Sequence, residues 1–353
     1  MKHARFRAWN GGSMTTLDAH QRHLAGLARS VRAAIIVPVL FASALFVTGQ
    51  PEVAGFAVFG TFAHLVMVKY DHAWKVRSVE SAMLTALGAI AVGLGTLASA
   101  AMWLAAGGAA AIGFLTEFST VAAPRIAVIR APLLLAFMLA VAVPSSIDAM
   151  YPNLEGWLLS GMIAQPALLM LWIDIEGGDA AAHDGVLQED RIKPPSSPDT
   201  WSIRNAFRTA TAMALAILLT RLVKVEHSFW VVLGVLPVLN ATSTSAGDTF
   251  WKAQAGTVIG FVLGGVLVTV TGDHQARYWL MLPFITFAAA YAASAIGLTS
   301  GQAGFTVFAI VLFCILLPLQ KDVGIRRLED IALGGAVGLV VSLVRRIDQP
   351  KST

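Results

Sequence analysis

From about residue 32 onward, the chain alternates long apolar runs with short polar breaks. Runs near 32–49, 53–68, 79–99, 100–117, 130–147 and 154–173 are followed by runs near 204–222, 228–245, 253–271, 277–297, 301–319 and 327–345. Each comes close to the roughly 20 apolar residues that a helix needs to cross a hydrocarbon core. The runs are continuous and rich in Ala, Leu and Gly, whereas a membrane barrel needs short strands of alternating polarity. The pattern predicts an all-α, polytopic membrane protein of about 12 transmembrane helices. The break least obvious from polarity is a short turn near residues 100–103, which must separate the third span from the fourth.

The two sets of runs also resemble each other. Landmarks recur at an offset of roughly 175 residues: Arg32 at Arg208, Gly60 at Gly234, Trp74-Lys75 at Trp251-Lys252, Phe137 at Phe308 and Gly161 at Gly335. Six helices per copy is an even number, so both copies share one orientation and the repeat is parallel. The expected organisation is an N-terminal tail at 1–28, a first six-helix repeat at 29–173, a linker at 174–203, a second six-helix repeat at 204–346 and a tail at 347–353.

Composition agrees with lipid as the main solvent. Apolar residues make up 56% and charged residues 13%, about half the charged share of soluble domains. With the N-terminus inside, nineteen of the 25 Lys and Arg residues fall on the cytoplasmic side, which sets the expected orientation with both termini cytoplasmic. The loop holding Lys321, Arg326 and Arg327 goes against that bias. A pI near 9.4 invites a nucleic-acid reading, but the basic residues sit at segment ends and not on one face, so no nucleic-acid partner is expected. Trp74, Trp103, Trp157, Trp172, Trp201, Trp230, Trp251 and Trp279 lie at or near expected helix ends, where indoles anchor in the headgroup layer. The first apolar run has no small-residue cleavage site behind it and reads as a retained helix, not a signal peptide. The linker, with Asp174, Glu176, Asp179, Asp184, Glu189 and Asp190 ahead of Pro194-Pro195, reads as a solvated connector and not a metal site. The single cysteine, Cys314, lies in an apolar run, and neither a metal nor a cofactor is expected.

Ionisable residues inside membrane runs are costly and so invite function. His64 is the deepest, and it has two readings: a hydrogen-bonded packing residue or a proton-coupling group. Glu226, His227, Asp248 and Asp330 are further proton-coupling candidates near span ends, where Glu80 and Glu117 also fall, within reach of headgroups or water. Arg32 and Arg208 occupy matching places, as do Lys75 and Lys252. They either anchor the helices from the positive side or offer cations, with guanidinium forks, to an anionic substrate. Phe229 and Trp230, next to Glu226-His227, add an aromatic surface to that substrate-binding set. Gly256, Gly260 and Gly264, and again Gly334 and Gly338, are spaced by four and read as helix-packing faces. No HExxH, GxSxG, Walker lysine or paired intramembrane aspartates are present, so the chain is not read as an enzyme.

The second copy resembles the fusaric-acid-resistance (FUSC-type) aromatic acid exporter family of inner-membrane proteins. The residues that carry the resemblance are Arg204 and Arg208, then Trp230-Val231-Val232, then Gly247, Thr249 and Lys252, then Gly256-Thr257 and Gly260, and finally Arg327, Asp330 and Gly334. The first copy departs from the pattern, with Glu80-Ser81 where Gly-Thr stands and Leu154-Glu155-Gly156-Trp157 for the Arg-x-x-Asp start. The resemblance implies a bacterial inner-membrane secondary transporter that exports small amphipathic organic anions, aromatic carboxylic acids among them, with proton coupling. The alternative is a non-transporting membrane scaffold or envelope-assembly protein. Expected partners are the lipid bilayer and the small organic anion, with a homo-oligomer or an envelope partner left open.

Overall fold

The structure is a computed structural model that describes residues 14–70, 73–122, 124–142, 145–172, 200–222, 246–272 and 274–316. The expected spans at 228–245 and 327–345, most of the linker and the C-terminal tail lie outside the described residues. Among the described residues 93% are helical and no strand occurs, which excludes a barrel for this part of the chain.

The helices are α1 (Met14–Thr48), α2 (Pro51–Met67, its last turn π-helical), α3 (Trp74–Ser99), α4 (Met102–Ala122), α5 (Pro124–Ala142), α6 (Met150–Met170, entered through a 3₁₀ turn), α7 (Thr200–Leu222), α8 (Ala246–Thr271), α9 (Gln275–Ile296, also ending in a π turn) and α10 (Leu298–Leu316). Five of them, in α1, α3, α8, α9 and α10, are long and apolar enough to cross a membrane, and shorter apolar helices occupy α2, α5 and α7. The chain is therefore membrane-embedded and helical. A turn at residues 100–101 separates α3 from α4. Helix α1 starts at Met14, so half of the expected N-terminal tail is helical. At 1.5 Å per residue, its 35 residues reach about 50 Å, well past a 30 Å hydrocarbon core.

Two glycines make the tight helix exits. Gly49 and Gly272 adopt φ of 68° and 62°, and their N–H groups donate to Leu45 and Val268 carbonyls at 2.9 Å. This left-handed exit satisfies carbonyls that the helix end leaves open, and glycine adopts it without strain. Pro51 then starts α2 at a position where its missing N–H is harmless.

Helix α2 is the most enclosed: from Val53 to Val66 every residue except Gly55 is buried. It packs on α1 and α6, while α3 lies along both α5 and α6. Helix α4 packs on α5 and on α7, and α9 packs on α1 and on α10, which lies along α8. Aromatic rings fill the centre: Phe59 and Phe62 of α2 meet Phe305 and Phe308 of α10, the closest pair being Phe62–Phe308 at 5.0 Å between centroids. Phe41 and Phe46 stack on Trp279 across α1 and α9 at 5.1 and 5.5 Å.

Outward faces are apolar. On α8, Val258, Val262, Val266 and Val270 are exposed at intervals of four, while Gly256, Gly260 and Gly264 face α10. A contiguous apolar stripe of this kind in water would drive aggregation, whereas lipid solvates it. Trp74 and Trp103 at helix starts and Trp251 in the second turn of α8 are 60–72% exposed, as anchors are. Trp157 differs from that expectation, because it is fully buried inside the bundle. The reason is local: Gly88 of α3 has no side chain, and the Trp157 indole occupies the space that a Cβ there would need.

Candidate functional site

Polar residues on α3 fall at Arg77, Glu80, Ser81 and Thr85, spacings that put them along one side of a 3.6-residue helix. Arg77, Glu80 and Ser81 are buried. They share the bundle interior with Arg29 and Arg32 of α1, themselves no more than 8% exposed. Burying charge in an apolar bundle is costly enough that each such group needs specific partners.

Those partners are in part aromatic. The Arg77 guanidinium lies 3.9 Å from the Trp172 ring centroid, and that of Arg32 lies 5.7 Å from the same ring. Arg32 also donates through Nη1 to the Leu171 carbonyl at 3.2 Å, at the end of α6 where a cation is favoured by the helix dipole. The face of the indole ring is electron-rich, so it holds a guanidinium with an attraction of about 0.5–2 kcal/mol. Tyr70, between α2 and α3, lies beside Ser81, Glu80 and Arg32. Burial pushes the Tyr70 hydroxyl well above its ordinary pKa; Ser81 opposes this, the Glu80 charge adds to it and Arg32 opposes it, so the phenol stays protonated.

One to two turns further along α3 the polar face continues into a second group. His64 Nδ1 lies 2.8 Å from the Gly60 carbonyl, which can only accept, so Nδ1 carries a proton. Its Nε2 lies 3.1 Å from Thr85 Oγ1, which lies 3.0 Å from the Ser81 carbonyl, so the one hydroxyl proton serves either the imidazole or the carbonyl. Trp157 Nε1 donates to the Thr85 carbonyl at 3.1 Å, and its ring sits 5.8 Å from the His64 imidazole. Thr85 therefore joins α2, α3 and α6, and Gly60 allows Ser160 of α6 to come close beside it.

A third polar group lies at the opposite end of α3. Arg221 of α7 donates to the carbonyls of Ser99 at 3.1 Å and Val141 at 2.9 Å, the last turns of α3 and α5. Ser99 and Ser145 hydroxyls are 2.9 Å apart, and Asn153 donates to Thr96 at 3.0 Å. This group ties helix ends together, and among the described residues Arg221 meets no aromatic ring.

The structure distributes the residues named from the sequence unevenly. Arg32 and His64 lie in the two groups on α3. Lys75 is exposed, with Nζ 5.7 Å from the ring of its neighbour Trp74, and Lys252 is exposed on α8. Arg208 lies on α7 and Asp248 in the first turn of α8. Glu117 pairs with Arg130 at 3.0 Å, across α4 and α5. Phe229, Trp230, Glu226, His227, Asp330, Gly334 and Gly338 lie outside the described residues. Sequence reasoning passed over Arg77 and Tyr70, and read Trp172 only as a headgroup anchor. Arg77 and Glu80 share a helix face at i and i+3, which was legible, but Trp172 joins them only through the tertiary return of α6.

Among the described residues no group of three or more His, Cys, Asp or Glu side chains is arranged to hold a metal ion. Compared with known proteins, residues 215–341 match the family model described as fusaric acid resistance protein-like. No curated protein and no solved structure matches the chain.

Proposed function

We propose that this chain, of the fusaric acid resistance protein-like type over residues 215–341, is an exporter of small amphipathic organic anions built from two like-oriented six-helix repeats. The family's association with membrane transport and efflux supports the general class. The helix pairing supports the duplication. The fourth helix of the first run, α4, packs on the first helix of the second, α7, and the counterpart of α4, α9, packs back on α1. Likewise α3 lies along α5 as α8 lies along α10. A parallel duplication about a pseudo-twofold axis generates this exchange.

The observation that carries the anion reading is the burial of Arg29, Arg32 and Arg77 in an apolar bundle, with two of them against the Trp172 ring. Guanidinium groups beside an aromatic face suit a carboxylate attached to an apolar body. His64, joined to the same side of α3 through Thr85, is the group we assign to proton coupling. Aromatic carboxylates are the substrate class, and the inner membrane of a bacterium the location, that the family resemblance favours.

The test is efflux of radiolabelled benzoate from proteoliposomes. Replacing Arg32 and Arg77 together by Met should reduce flux at least tenfold while the thermal melt of the purified protein stays within a few degrees. Unchanged flux in the double variant would remove the site. Absence of flux of any organic anion from the wild type, with a constant co-purifying protein, would replace transport by the scaffold reading.

A further inference from the structure

The segment that leaves α6 sits among the buried arginines much as a bound molecule would. The face of Trp172 lies against Arg77 at 3.9 Å and Arg32 at 5.7 Å, and the neighbouring Leu171 carbonyl accepts from Arg32 at 3.2 Å. One flat ring and one oxygen thus occupy two guanidinium groups. The fit is incomplete, because the buried indole N–H has no acceptor among the described residues. Among those residues the ring is held by its face, and a buried donor left without an acceptor there opposes the seated state.

The same seat suits a planar aromatic carboxylate better. Its ring offers the stacking face, and its carboxylate accepts charge-assisted bonds where the peptide carbonyl accepts a neutral-acceptor one. Such a ligand brings no N–H into the site. We propose that Trp172 is an intramolecular occupant of the two-arginine seat, which a planar aromatic carboxylate displaces when it binds. The proposal rests on the export reading for its substrate class and adds a self-occupied resting state to it.

Population arithmetic sets the expected size. An occupant seated nine-tenths of the time lowers apparent affinity about tenfold, and removing it restores that factor. The experiment uses the full chain in detergent, with benzoate binding followed by equilibrium dialysis and by tryptophan emission. W172A should bind benzoate about tenfold more tightly than wild type, and R77M should bind it at least tenfold more weakly. Benzoate should red-shift part of the wild-type emission and leave W172F unshifted, because only Trp172 leaves its seat. Should W172A fail to fold, W172L keeps bulk without a π face and reads the same difference.

Equal or weaker binding by W172A or W172L, or wild-type binding without an emission shift, overturns the proposal. Tighter binding by W172A with no flux in proteoliposomes sustains the occupied seat and sinks the export reading. Flux that depends on Arg77 without tighter binding by W172A does the reverse.

Discussion

Helices α3 and α8 stand at matching places in the proposed repeat, yet they meet their neighbours with different chemistry. Helix α8 brings Gly256, Gly260 and Gly264 against Thr299, Ala303, Thr306 and Ile310 of α10. At the matching places α3 carries Glu80, Leu84 and Gly88, and it adds Arg77, Ser81 and Thr85. In lipid no hydrophobic force draws helices together, so they are held by close backbone packing or by polar contact. At this face α8 uses the first means, whereas α3 adds the second to a close approach to α5 at Gly95. The close-packed face carries few directional bonds, whereas the polar face of α3 binds α2 and α6 through His64, Thr85 and Trp157.

The contrast is sharpest where packing is tightest. Gly260→Leu would drive a side chain into the backbone of Ala303, and neither helix can yield without moving the other. Overpacking of this kind costs roughly 3 kcal/mol or more, and the expected outcome is loss of the monodisperse peak in size-exclusion chromatography. A G260L variant with an unchanged melt would show that α8 does not rely on close approach.

On α3 the matching test removes the large ring instead. Trp157→Ala empties a fully buried site and leaves the Thr85 carbonyl without its indole donor, a loss of about 3–5 kcal/mol. Thermal melting in detergent should fall accordingly, and a shift of only a degree or two would mean that α6 is held elsewhere.

A smaller pair of substitutions compares the two helices directly. Thr85→Val removes the hydroxyl shared by His64 and the Ser81 carbonyl, a loss of about 0.6–2 kcal/mol. Thr257→Val on α8 removes only a bond to Ala253 within its own helix, so its melt should stay near that of wild type. Equal effects would erase the distinction between a bonded face and a packed one. The least effect is expected from Glu117→Gln: it weakens a pair with Arg130 that is partly open to its surroundings, with a change of about 0–1 kcal/mol by chemical denaturation.

The helical, lipid-facing character of the chain could be read from the apolar runs, because hydrocarbon admits only helices and closed barrels and the period excluded the latter. The close-packing role of Gly256, Gly260 and Gly264 was visible from spacing alone, since three absent side chains on one helix face leave a flat strip whatever lies opposite. The site was only half legible. Arg32 and His64 stood out because charge within an apolar run is unusual. Lys75 looked equivalent to Lys252 by its place in the repeat, yet Arg77, two residues on, points inward while Lys75 is exposed. Helical phase decides this, and a helix boundary known only to a few residues leaves the phase open.

The sequence by itself determined the apolar, lipid-facing character of this protein, the approximate places of its described helices and which places hold charge, because those depend on local polarity and period. Tertiary structure alone decided that Trp172 returns to lie against Arg77 and Arg32, that Trp157 leaves the headgroup layer for the space above Gly88, and that Thr85 bridges three helices. Each of these contacts joins residues far apart in the chain. Their geometry follows from how the helices rotate against one another, which no local pattern specifies.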